Sequence, residues 1–100
     1  MTLEETINSE LGIVYVGNSM TCPPCRQFKQ NQERIETELN NKIFVIDIAY
    51  GGYDDLDKLR EVVNIKTSIP QFYVFKRGVV AKEMQGFGNS QIFINNIKSA

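Results

Sequence analysis

The chain has 100 residues, of which 42% are hydrophobic and 23% charged, with a net charge of −1 and no histidine. That is enough for one hydrophobic core, so residues 1–100 are expected to form a single domain of ordinary soluble composition. The balance excludes nucleic acid as the main partner, and the lack of histidine excludes Ser-His, Cys-His and histidine–metal chemistry.

Thr2 is expected to cap a short helix reaching about Glu10, with Glu5 at capping-box spacing. Leu3, Ile7 and Leu11 share one face of it, and Gly12 is expected to end it. The acidic start has no apolar signal core, which points to a cytoplasmic protein. Ile13 to Val16 is an apolar, β-branched run of strand length, and Gly17-Asn18-Ser19 is turn chemistry.

Both cysteines follow, in Met20-Thr21-Cys22-Pro23-Pro24-Cys25-Arg26. A helix is expected from Pro24 to about Leu39, since proline is tolerated in a first turn. Phe28, Ile35 and Leu39 form its inward stripe, and Arg26, Lys29, Gln32, Glu36 and Glu38 its solvated face. A C-x-x-C at a strand-to-helix junction is a redox arrangement. Helix N-termini carry unpaired N–H groups and roughly half a positive charge, which favours thiolate over thiol. A contribution of up to ~2 kcal/mol moves a thiol pKa from about 8.5 to about 7. Cys22 is thereby a working nucleophile without a histidine. Two cysteines do not make a closed zinc site, so no metal is expected. As a structural staple, so small a loop is worth only ~2 kcal/mol. Redox chemistry is the stronger reading.

Asn40-Asn41-Lys42 breaks the helix, and Ile43 to Ile48 reads as a strand covered on both faces. Asp47 interrupts that run, either as a strand-end carboxylate or as a proton carrier near the cysteines. Ala49 to Tyr53 is a loop, after which Asp54 or Asp55 caps a helix with Leu56, Leu59 and Val63 inward. Asn64 to Ser68 leads to Ile69-Pro70. Gln71 to Phe75 is a further strand, Lys76-Arg77-Gly78 its turn, and Val79 to Met84 an edge partner. Asn89 or Ser90 caps a last helix with Ile92, Phe93, Ile94 and Ile97 facing in. Neither apolar run, Ile43 to Ile46 or Phe72 to Phe75, approaches a membrane span. The order α-β-α-β-α-β-β-α predicts three parallel strands and a terminal hairpin in a four-stranded mixed sheet flanked by helices.

These residues resemble the thioredoxin family over nearly the whole chain. Cys22-Pro23-Pro24-Cys25 is similar to its active-site motif, and Ser68-Ile69-Pro70 to its Ile-Pro loop. Phe75-Lys76-x-Gly78 and Gly86 fall in phase with its later pattern. The resemblance implies an α/β thioredoxin-like fold whose N-terminal strand is absent here, and a cis proline at Pro70 lying against the cysteines. It implies dithiol exchange in which Cys22 attacks and Cys25 resolves, with no cofactor beyond the Cys22–Cys25 disulfide. Thr21, Pro23, Pro24, Ile69, Pro70, Gly86 and Phe87 would line a shallow docking surface. The implied partners are protein disulfides and a thioredoxin reductase, served by a cytoplasmic monomer that binds neither nucleic acid nor membrane.

Three departures stand out. Thr21 replaces the family's tryptophan, Pro23 its glycine, and Val16 aligns with its buried aspartate, leaving Asp47 as the nearby carboxylate. Two other readings stay open. A glutaredoxin-like, glutathione-linked reductase is one, although Pro24 and Ile69 point away from it. A docking subunit with a non-redox role is the other.

Overall fold

A computed structural model describes residues 1–100. The chain enters through α1 (Leu3–Asn8), capped by Thr2, whose side chain accepts from the Glu5 N–H while the Glu5 carboxylate accepts from the Thr2 N–H. The helix stops at Asn8, short of Glu10, and Gly12 instead begins β1 (Gly12–Gly17). Gly12 is required for space: a Cβ there would collide with the Thr6 carbonyl of α1. Leu11 packs on the opposite side of the sheet from Leu3 and Ile7.

Next come α2 (Pro23–Leu39), β2 (Ile43–Asp47), a 3₁₀ turn (Ile48–Tyr50), α3 (Tyr53–Arg60), β3 (Gln71–Lys76), β4 (Val79–Gln85) and α4 (Ser90–Lys98). The strand order is β2-β1-β3-β4. This is the four-stranded mixed sheet anticipated, with one correction of direction. β1 and β2 are parallel, but β3 runs antiparallel to β1, as β4 does to β3. The right-handed crossover rule governs returns to a parallel strand. Here the stretch after α3 carries the chain back along the sheet before β3 begins, so the rule does not apply. The consequence is functional. Gln71 pairs with Val16, so β3 starts where β1 ends, beside the cysteine loop.

Strand alternation divides the core. Ile13, Tyr15, Phe72 and Val74 face α2 and α4, meeting Phe28, Ile35, Phe93, Ile94 and Ile97. Val14, Val16, Tyr73 and Phe75 face α1 and α3, meeting Leu3, Ile7, Leu56 and Leu59. β2 is an edge strand, only partly covered at Phe44 and Val45, rather than the strand covered on both faces that its apolar run suggests.

Four local expectations are also corrected. α2 starts at Pro23. Gly52, not an aspartate, caps α3, and Asp54 and Asp55 sit in its first turn, where they complement the helix dipole. Ile92 is 63% exposed, because Phe93 and Ile94 take the inward positions. Glu36 is not simply solvated, since its carboxylate accepts from the Ile43 N–H at 2.8 Å and anchors the start of β2.

Candidate active site

The first turn of α2 has an unusual composition. Cys22 occupies the capping position, and the next two residues, Pro23 and Pro24, have no N–H. The Cys25 N–H donates to Cys22 Sγ at 3.3 Å. A helix N-terminus thus meets the sulfur through one donor and its own partial positive charge. Cys22 and Cys25 are joined in a disulfide, with Cα atoms 5.2 Å apart. Cys22 is 7% exposed and Cys25 fully buried, so an incoming group reaches Cys22 first. The preceding loop is tied down by Arg26, whose guanidinium donates to the Met20 carbonyl at 3.1 Å.

The segment leading into the start of β3 supplies the opposing wall. Cys22 Sγ lies 3.7 Å from the Ile69 carbonyl oxygen. The Ile69–Pro70 bond is cis, and Pro70 is buried. The Gly86 N–H donates to the Pro70 carbonyl at 2.9 Å, with Gly86 at φ +82°, a backbone conformation that favours glycine. Thr21 and Pro23 are exposed, and Pro24 and Ile69 half-buried. Phe87 is half-buried as well, and its ring packs edge-on to Phe28 and Phe93 at 5.7 Å between centroids. It is more a pillar of the aromatic core than an open docking surface. Cys22, Cys25, Ile69, Pro70 and Gly86 are thus brought together, with Thr21 and Pro23 at the rim.

Asp47 is 8% exposed at the end of β2. Its Oδ1 accepts from the Ser19 N–H at 3.1 Å and the Ala49 N–H at 3.2 Å, while Oδ2 faces Lys29 Nζ at 3.9 Å. Burial pushes its pKa up, but the hydrogen bonds from Ser19 and Ala49 and the Lys29 charge outweigh it and hold the carboxyl below the ordinary range. The strand-end reading fits this geometry, since the Asp47 carboxylate ties the Ser19 and Ala49 N–H groups at the end of β2.

Val16 is likewise not the residue beneath the cysteines, since it faces α1 and α3. Tyr15 is the one on the cysteine side, stacked on Phe28 at 4.7 Å between centroids. Sequence reading passed over it because a tyrosine inside an apolar strand run looks like core. The glycine two positions on, at the strand's end, is the signal that something sits close by.

A family model described as Thioredoxin matches residues 2–99. Among solved structures, a thioredoxin from Plasmodium falciparum is 24% identical, with a TM-score of 0.72 over 96% of this chain and 87% of that one. A mutant thioredoxin from Halobacterium salinarum is 17% identical, with a TM-score of 0.74 over 96% and 79%. Oxidised mitochondrial thioredoxin 3 from Saccharomyces cerevisiae is 17% identical, with a TM-score of 0.71 over 97% and 85%. No curated protein matches the sequence at a significant level.

Proposed function

Because the chain belongs to the thioredoxin family, we propose that it is a protein disulfide reductase working by dithiol exchange. The observation that carries this reading is the closed Cys22–Cys25 pair, with Cys22 at the capping position of α2 and Cys25 buried behind it. Family and disulfide together support thiol–disulfide oxidoreductase chemistry. The finer assignment rests on geometry. In the reduced protein the Cys22 thiolate accepts from the Cys25 N–H and lies at the positive end of the α2 dipole, and both favour its ionised form. It attacks a substrate disulfide to give a mixed disulfide, which Cys25 resolves.

A substrate cysteine at Cys22 Sγ passes within reach of the Ile69 backbone, 3.7 Å away. Pro70 has no N–H to compete there, so an extended substrate segment pairs with Ile69. The exposed Thr21 and Pro23 carry no charge, which suits many protein disulfides held weakly. We place the protein as a cytoplasmic monomer recharged by a thioredoxin reductase and needing no bound cofactor.

The test is reduction of a protein disulfide with electrons supplied by either a thioredoxin reductase or glutathione with its reductase. Cys22→Ser should abolish turnover, and Cys25→Ser should accumulate the mixed disulfide with Cys22. Equal or better turnover with glutathione would favour a glutaredoxin-like role, and an unaffected cellular role in the double variant would favour docking.

A further inference from the structure

Tyr15 is fully buried, and the exchange steps above make no use of it. Buried tyrosine hydroxyls ordinarily find a partner, yet this one has none. The hydroxyl lies against Gly17. A Cβ added to that glycine would overlap the Tyr15 Oη and sit 2.8 Å from Cys25 Sγ. Phenol and sulfur are therefore neighbours across the bare Gly17 Cα. With the disulfide closed, that sulfur is a weak acceptor, whereas a thiolate in the same place is a strong one.

We propose that the Tyr15 hydroxyl donates a hydrogen bond to the Cys25 sulfur when the disulfide opens, holding and stabilising the resolving thiolate. This role rests on the dithiol-exchange reading. Burial first, and the Asp47 charge second, raise the phenol pKa far above its ordinary value. Tyr15 thus keeps its proton throughout and is a donor, not a base.

The steps balance without it. Cys22 thiolate attacks the substrate disulfide, the Cys22–substrate S–S bond forms, the substrate S–S bond breaks and one substrate thiolate leaves. That thiolate takes the Cys25 proton. Cys25 thiolate, held by Tyr15, attacks Cys22 Sγ, closes the Cys22–Cys25 bond and expels the second substrate thiolate. Two electrons pass from the protein to the substrate.

The titratable groups around the phenol are Cys22 and Cys25 on α2, and Asp47 at the end of β2 with its partner Lys29. From β3 and α4, Phe72, Val74, Phe93, Ile94 and Ile97 pack into this cluster.

Tyr15→Phe removes the hydroxyl and nothing else. The Cys25 thiol should then ionise roughly tenfold less readily, and single-turnover release from the mixed disulfide should slow by a similar factor below the Cys25 pKa. Above that pKa the couple should become tenfold more reducing, about 30 mV. The oxidised variant should unfold no more easily than the parent, because the hydroxyl has no partner to lose. Unchanged Cys25 titration and potential would overturn the proposal. Should the variant fail to fold, the Tyr15 Cζ resonance of the parent decides. It should follow the Cys25 titration, and a resonance indifferent to it overturns the proposal. If the parent fails to reduce protein disulfides, the exchange reading fails. An active parent with unchanged Cys25 titration in Tyr15→Phe sinks the Tyr15 role alone.

Discussion

A capping side chain accepts from the N–H of the second or third helical residue. In α2 the second is Pro24, so the Cys25 N–H is the donor present, at 3.3 Å from Cys22 Sγ. Pro24→Ala adds the missing donor and keeps a good helix former in the first turn. A hydrogen bond to a charged acceptor is worth about 1.5–3 kcal/mol, and 1.36 kcal/mol is one pKa unit. The Cys22 thiol of the variant should therefore titrate roughly one unit lower, read from thiolate absorbance against pH. A titration that stays put or rises would mean that the new N–H does not reach the sulfur. At this scale the sequence is nearly sufficient, because cap, prolines and sulfur are neighbours in the chain. Tyr15 is the exception. Counting back from Cys22 selects Val16, whereas the alternation of the folded strand brings Tyr15 to the cysteine side.

The loop from Asn64 to Pro70 holds Ile69 against Cys22, and one buried side chain organises it. Gln71 Nε2 donates to the carbonyls of Ser68, at 2.7 Å, and Lys66, while Gln71 Oε1 accepts from the Lys66 N–H at 3.2 Å and from the Tyr73 hydroxyl. Gln71→Ala strips the loop of these ties and leaves the Tyr73 hydroxyl without this acceptor. The expected loss is about 2–3 kcal/mol by denaturant unfolding. Turnover of protein substrates should fall while the Cys22 titration holds. A variant as stable as the parent would show that the loop is held by other means. Gln71 reads in the sequence as the polar first residue of a strand, and nothing in that reading reveals its four hydrogen bonds to Lys66, Ser68 and Tyr73. The strands themselves were legible, since runs such as Ile43 to Ile46 and Phe72 to Phe75 are apolar and β-branched or aromatic. The direction of β3 was not, because it depends on where the chain travels after α3 rather than on any residue within the strand. Ile92 shows the same limit, since three successive apolar residues, Ile92 to Ile94, cannot all face one side of a helix.

Across the whole molecule, the site exists because three strand ends meet at one end of the sheet. β1 delivers the cysteine loop, the start of β3 delivers Ile69-Pro70, and the end of β2 delivers Asp47. Asp47 fastens this junction. Its carboxylate takes N–H groups from the cysteine loop at Ser19 and from the turn after β2 at Ala49, and it faces Lys29 on α2. Its pKa is lowered in the folded state, so over that interval the unfolded chain binds more protons and folded stability rises with pH. The stabilisation is complete above the unfolded carboxylate value, about 3.9, and is lost as pH falls through the lower folded value. Asp47→Asn keeps an oxygen that accepts from Ser19 and Ala49 but removes the charge. At pH 7 the variant should be less stable by on the order of 1 kcal/mol, the difference between charged and neutral acceptors. The gap should close as Asp47 protonates, so the two unfolding curves should converge at acid pH below that window. A gap that persists unchanged into acid would place the Asp47 contribution in its shape and not in its charge. A variant more stable than the parent at pH 7 would mean that desolvation of the carboxylate outweighs the three groups that face it.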